Sequence, residues 1–234
     1  MTSGHASTGP EPWDTKYNLR FKMSQVTIID YGIGNLFNLE KVVAHLGGKA
    51  IVSGEPQTIL KAERVILPGV GAFGDGMENL RKQELIEPIR EYVHSQRPFL
   101  GICLGMQLLL SESEEFGRHE GLGLVPGKVK RLKSPEPGSR PYKIPHVGWN
   151  RLQVRDDLPH GNLLLQNLPS EPCVYFVHSY AVFPQDSSNI LAETEYGLNR
   201  FCSVLKKENL LGCQFHPEMS GEVGLQILRN FLNL

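Results

Sequence analysis

Short apolar runs alternate with amphipathic, helix-length segments through the first half of the chain, and glycines mark most of the joins. Ser24 to Asp30 (SQVTIID) is a β-branched run that breaks at YGIGN before a helical pattern over Leu36 to Leu46. Gly47 and Gly48 stop that helix. Ala50 to Ser53 and Arg64 to Leu67 then read as strands, the second running into PGVGAFGDGM. Helical patterns around Met77 to Arg81 and over Glu84 to His94 lead to a further apolar strand, Pro98 to Ile102, and a helix-like run, Met106 to Leu110. Strands alternating with helices imply βαβ units and a parallel sheet covered on both faces.

Beyond Gly121 the pattern changes. Gly127 to Leu132, Asn150 to Val154, Val174 to Val177, Ile190 to Thr194, Phe201 to Lys206 and Leu210 to Phe215 read as strands with little helix between them. The expected fold is therefore α/β, with a mixed, largely parallel central sheet flanked by helices. Its antiparallel second half extends that sheet or folds over it. A last helix, Val223 to Leu232, has apolar residues at 225, 227, 228, 231 and 232, one face that suits packing on the sheet. The Pro-rich stretch Ser134 to Pro145 is too short for an interdomain linker. Residues 23–234 are expected to form a single domain. Residues 1–22 lack the apolar core of a signal peptide and contain acids that a transit peptide avoids, which suits a disordered or processed tail.

Charge and composition narrow the possible partners. The 24 Lys+Arg and 25 Asp+Glu leave a formal charge of −1, and no basic block appears, which argues against a nucleic-acid partner. The longest uncharged stretch, Pro98 to Leu110, has 13 residues, short of the roughly 20 that span a bilayer. A soluble protein is expected. Four cysteines without C-x-x-C spacing suit a reducing compartment, the cytoplasm. No H-x-x-x-H or paired-Cys spacing supports a metal site.

Gly101-Ile102-Cys103-Leu104-Gly105 follows an apolar strand and precedes a helical run, the cysteine form of a nucleophile elbow. Such a turn lifts the thiol clear of the sheet edge and lets the next backbone N–H face an oxyanion. A thiolate performing acyl transfer needs a base that later returns the proton, a task for imidazole. His146 and His178 are not easily dismissed, but His216 stands out among the eight histidines because it follows a strand and precedes Pro217, with Glu218 able to turn back and orient the ring. The glycines of PGVGAFGDG, residues 68–76, let backbone N–H groups approach the same oxyanion. Aromatic and amide residues also gather where charge would be expected in loops: Asn35, Asn38, Trp149, Asn150, Tyr175 and Tyr180. They read as anchors for a partner protein, or else as filling for the core of the second half.

With PGxG, GICLGMQ and QFHPE in that order, the sequence resembles the class I (triad) glutamine amidotransferases over residues 24–234. IIDYGIGNLFNLEK, PHVGWN, YFVHSY and CQFHPEMSGEVGLQILRNF resemble one branch of that family, the glutaminase subunits of imidazole glycerol phosphate synthase in histidine biosynthesis. The resemblance implies that Cys103 attacks the side-chain amide of glutamine, that His216 acts as base and then acid, and that Glu218 orients it. It implies an oxyanion held by the amides of Leu104 and of Val70 or Gly71. Glutamine would be held by Gln107, Glu115 and the Ser179-Tyr180 backbone, with no cofactor. It further implies a separate (β/α)₈ cyclase chain, forming a heterodimer, that receives the ammonia and makes imidazole glycerol phosphate and an aminoimidazole carboxamide ribotide. Met219 departs from the pattern, since family members often have Lys there. The rival readings are a glutaminase serving chorismate or carbamoyl phosphate chemistry and a stand-alone γ-glutamyl thiol hydrolase.

Overall fold

The structure, a computed structural model, describes residues 24–138, 141–155 and 163–234. The tail assigned to residues 1–22 lies outside them. The first half contributes β1 (Gln25–Ile29), α1 (Leu36–His45), β2 (Lys49–Ser53), α2 (Pro56–Lys61), β3 (Val65–Leu67), α3 (Phe73–Lys82), α4 (Ile86–His94), β4 (Phe99–Ile102) and α5 (Leu104–Leu108). There follow β5 (Leu110–Ser113), β6 (His119–Glu120), β7 (Val125–Arg131), β8 (His146–Arg151), β9 (Gln153–Val154), β10 (Cys173–His178) and β11 (Tyr180–Pro184). The chain ends with β12 (Ile190–Tyr196), β13 (Asn199–Lys207), β14 (Leu210–Cys213) and α6 (Gly221–Leu232).

Twelve strands form one sheet in the order β2-β1-β3-β4-β14-β13-β11-β7-β5-β6, with β12 and β9 branching from β13. From β2 to β14 every pairing is parallel, and β13 then opens an antiparallel region in which β5 against β7 is the exception. The second half thus extends the sheet, while β8 and β10 pair with each other as a separate two-stranded ribbon. The alternation of side chains along each strand sorts the central residues between two cores. Val26, Ile28, Ile66, Leu100, Ile102, Leu211 and Cys213 enter one core, which Leu39 and Val43 of α1 and Ile227 and Phe231 of α6 cover. Ile29, Val65, Leu67, Phe99 and Leu210 enter the other, beneath Ile59, Met77, Leu80, Ile89 and Tyr92 of α2, α3 and α4. Among the described residues no helix is long and apolar enough to cross a membrane.

Several elements depart from the sequence expectation. The helix expected over Met106 to Leu110 is one turn, α5, and Leu110 already begins β5. An all-apolar run buried on every side has no period to separate helix from strand. The strand expected over Asn150 to Val154 is split between β8, which starts back at His146, and β9. β11 and α2 were not expected: β11 leaves β10 after one residue, and α2 is only 6 residues long. α3 begins at Phe73, four residues before the expected Met77, because its glycine-rich first turn carries little helical signal.

One of the two tightest glycine contacts among the described residues lies at the β4–α5 turn. A Cβ on Gly105 would overlap the Leu67 carbonyl oxygen, so only glycine lets α5 start against the end of β3. Gly105→Ala is expected to cost about 3 kcal/mol or more, the upper range for overpacking a core. Urea unfolding checks this, and an unchanged midpoint would show that the turn yields.

Candidate active site

Parallel strands deliver their following loops to one edge of the sheet, and the candidate residues collect there. β3 runs into the PGVG turn, β4 into Cys103 and β14 into the segment that carries His216 and Glu218. Cys103 has φ 53° and ψ −110°, a region that non-glycine residues rarely occupy. Its N–H donates to the Cys213 carbonyl at 2.7 Å, and its carbonyl accepts from Gln107 N–H at 3.1 Å, so both neighbours hold the turn in place. The thiol is 6% exposed, at the floor of a cleft of about 200 Å³.

His216 Nδ1 and Glu218 Oε1 are 2.8 Å apart, and both side chains are buried. A 3₁₀ turn over Pro217–Met219 folds Glu218 back onto the ring. His216 N–H donates to the Tyr175 carbonyl, and Ser220 Oγ donates to the His216 carbonyl while accepting from Tyr175 N–H, so β10 supports the loop. The opposite ring atom, Nε2, is buried without a hydrogen-bond partner, as is Glu218 Oε2. Burial alone would lower the His216 pKa. Interactions with Cys103 and Glu218 override it and raise the value to about 10.

The rest of the cleft wall contains Val70, Gly71, Leu104, Gln107, Glu115, Ser179 and Tyr180, all expected from the sequence, together with Val177 and His178. Tyr31 Oη donates to the Pro68 carbonyl at 2.8 Å, and Glu115 Oε2 accepts from Phe73 N–H at 2.6 Å. These contacts pin the PGVG turn at both ends. Between them Gly71 sits at φ +101° with open space where a Cβ would point. Glu115 is therefore a cap of α3 as well as a wall residue, and desolvation raises its pKa against the pull of the Phe73 N–H. Gln107 Nε2 donates to the Tyr180 carbonyl at 2.9 Å and to Gln214 Oε1 at 3.3 Å. Gln214, fully buried, points Nε2 at Cys103 Sγ, 3.9 Å away.

Residues expected at a partner surface divide in two. Trp149 is 59% exposed and meets Tyr175 edge-on, with ring centroids 6.1 Å apart. Both lie on strands rather than loops, on the outer face of the β8–β10 ribbon with exposed Val147 and Val177. Core filling is thereby excluded for Trp149. Asn150, one residue on, has its amide on the inner face, where Nδ2 donates to the Glu195 carbonyl at 2.9 Å and approaches His146 Nε2 at 3.3 Å. Asn35 caps α1 by accepting from Asn38 N–H. Tyr31, Gln214, His146 and His178 were given no role in advance. Gln214 had a signal, since it precedes the Phe215-His216 pair at the end of a strand, but its contact with Cys103 spans 111 residues.

A histidine whose folded pKa lies above its unfolded value stabilises the fold fully below the unfolded value, about 6.5, and loses that contribution as pH rises through the folded one. His216 should therefore stabilise the chain most near pH 6 and least above about 10. Unfolding free energies of wild type and His216→Gln, compared from pH 6 to 10, should converge with rising pH; a constant gap would contradict the charged pairing.

Comparison with known proteins supports the same chemistry. The glutamine amidotransferase class-I family model matches residues 27–234. Imidazole glycerol phosphate synthase subunit HisH 1 of Legionella pneumophila (strain Lens) is 46% identical over 215 residues, covering 91% of this chain and 100% of the relative. The HisH subunit of Geobacter sulfurreducens is 45% identical, covering 89% and 98%. Among solved structures, PurLQS from Thermotoga maritima aligns with TM-score 0.68 at 19% identity over 90% of this chain and 98% of that one, a likeness of fold. A Cys elbow, a His-Glu pair and a glycine turn on one sheet edge, with a family match over nearly all the described residues, establish that the chain belongs to the class I glutamine amidotransferases.

Proposed function

We propose that this chain is the glutaminase subunit of imidazole glycerol phosphate synthase, with residues 23–234 as its working domain. Relatives sharing 43–47% of their residues with it carry that subunit's name. The observation that carries the mechanism is that Cys103, which lines one small cleft, interacts with His216, which is paired in turn with Glu218 at 2.8 Å. In the resting pair the proton sits on His216, whose pKa is raised to about 10, so Cys103 Sγ adds to the side-chain amide carbon of glutamine and His216 gives that proton to the departing ammonia. Glu218 holds the ring so that the orphaned Nε2 faces the reacting atoms. Leu104 N–H and an amide of the Val70-Gly71 turn hold the oxyanion, and water then releases glutamate from the thioester. Gln107, Glu115 and the Ser179-Tyr180 backbone seat the substrate.

The ammonia passes to a (β/α)₈ cyclase chain, which closes imidazole glycerol phosphate and releases the aminoimidazole carboxamide ribotide. Exposed Trp149, Val147, Val177 and Met219, with Tyr175, form the apolar part of the docking face, and the α1 start at Asn35 and Asn38 lies at the same sheet edge. Met219, 43% exposed, fits this apolar character. Such a face favours the two-chain synthase over a stand-alone γ-glutamyl hydrolase. Four free thiols suit a cytoplasmic location.

Cys103→Ala should abolish glutamate release while the cyclase complex still forms product from added ammonium; retained glutamine hydrolysis would refute the nucleophile. His216→Ala should cost about 10²–10⁴ in rate, the usual worth of a general base, and more than Glu218→Gln. Docking and nucleotide binding are expected to rotate the unobstructed Val70-Gly71 peptide and complete the oxyanion hole, worth about 10²–10³. Glutamine turnover measured for the chain alone, with partner, and with partner plus nucleotide should rise in that order, and Trp149→Ala should weaken the rise without unfolding the chain. Three equal rates would contradict the coupling.

A further inference from the structure

Beneath the outer face of the ribbon runs a buried chain of hydrogen bonds that the triad chemistry does not use. Its centre is the carbonyl of Tyr180, the first residue of β11. That oxygen accepts from Gln107 Nε2 at 2.9 Å on one side and is 2.9 Å from His178 Nδ1 on the other. Since a carbonyl only accepts, Nδ1 of His178 carries the proton. In a neutral ring its Nε2 is then an acceptor, and it lies 3.2 Å from His146 Nδ1, which must donate. His146 Nε2 in turn accepts from Asn150 Nδ2, whose direction is fixed independently because the same nitrogen donates to the Glu195 carbonyl. Both ends of the run demand the same proton order, and no other neutral assignment satisfies every pair.

Burial holds the two rings neutral. His146 and His178 are 2% and 6% exposed, and desolvation lowers their pKa values to about 4 and about 3. His146 stacks on Tyr196, at 3.9 Å between centroids, and on Phe176, at 4.8 Å, which fixes its ring plane, and its contacts with His178 and Asn150 fix which edge faces each. From Tyr180 the run continues through Gln107 to Gln214 Oε1, and Gln214 Nε2 reaches Cys103 Sγ. Ser179 is the single residue between β10 of the ribbon and β11 of the main sheet, and its carbonyl is tied to Leu132 N–H. The Ser179-Tyr180 wall therefore has no other side-chain clamp than His178 and Gln107 among the described residues.

We propose that His178 and His146, both held as the neutral Nδ1–H tautomer, are positioning residues that clamp the Tyr180 carbonyl and so set the glutamine-binding wall and the aim of Gln214 at the Cys103 sulfur. His146 lies behind the cleft lining and His178 is part of it, and both act here through the Tyr180 carbonyl. The proposal rests on the glutaminase reading for its kinetic consequence but not for its proton order. His178→Phe keeps the ring volume and removes the donor; it should raise KM for glutamine about fivefold in the complete synthase, the worth of one hydrogen bond, with kcat changed less than twofold. His178→Asn returns a donor at the Nδ1 position and should recover most of that loss. A ring that only filled space would show the reverse, with Phe tolerated and Asn damaging.

Long-range ¹H–¹⁵N NMR on the unsubstituted full chain supplies the arm that no folding defect can spoil. Both histidines should show a protonated Nδ1 and a bare Nε2 at pH 7. An Nε2–H tautomer at either residue, an unchanged KM in His178→Phe, or failure of Asn to rescue would each overturn the proposal. A synthase that hydrolyses no glutamine would instead refute the function proposed above, and the tautomer spectrum would still decide the relay.

Discussion

Everything at the sheet edge depends on how closely α5 can approach the end of β3. The chain leaves β4, turns through Cys103 in a conformation that side chains disfavour, and starts a helix whose second residue touches the Leu67 carbonyl. Strain of this kind costs of order 1–3 kcal/mol and persists only where surrounding contacts hold it. Here they are the Cys103 N–H bond to Cys213 and the buried apolar side chains of α5. Gly105 thus permits the turn that brings Cys103 into the cleft lining.

The same edge concentrates buried polar groups that an apolar core would exclude. Most are mutually satisfied: Gln107 with Gln214, His146 with His178, Ser220 with the His216 carbonyl. Of the buried side-chain polar atoms without a partner among the described residues, His216 Nε2 and Glu218 Oε2 belong to one pair. Leaving a buried acceptor or donor unmet costs roughly 1–3 kcal/mol. Unmet polar atoms of this kind are expected at a functional site, where a ligand or a reacting group supplies the partner.

The β8–β10 ribbon links surface and site through its two faces. Outward residues, Val147, Trp149, Tyr175 and Val177, make an apolar exterior, and among the inward ones, His146, Asn150, Phe176 and His178, the last lines the cleft beside Val177. The backbone of Tyr175 also supports the His216 loop. The exposed face and the residues beside Cys103 thus share one pair of hydrogen-bonded strands.

Local pattern by itself determined the βαβ start, the elbow at Cys103, the His216-Glu218 turn and the amphipathic last helix, since each is written within a few residues by period, glycine spacing or proline. It did not determine the fate of LLL at 108–110, where burial on all sides erases periodicity, nor the splitting of the second half into sheet and ribbon, which depends on pairing between segments far apart. The contacts of Asn150, Gln214, His146 and His178 were equally out of reach. Asn150 and Trp149 are neighbours with the same outward promise in sequence, and only the strand pleat sends one to the surface and the other to a buried histidine. Proton order along that relay was decided last of all, by two backbone carbonyls, Tyr180 and Glu195, that tertiary packing brings to its ends.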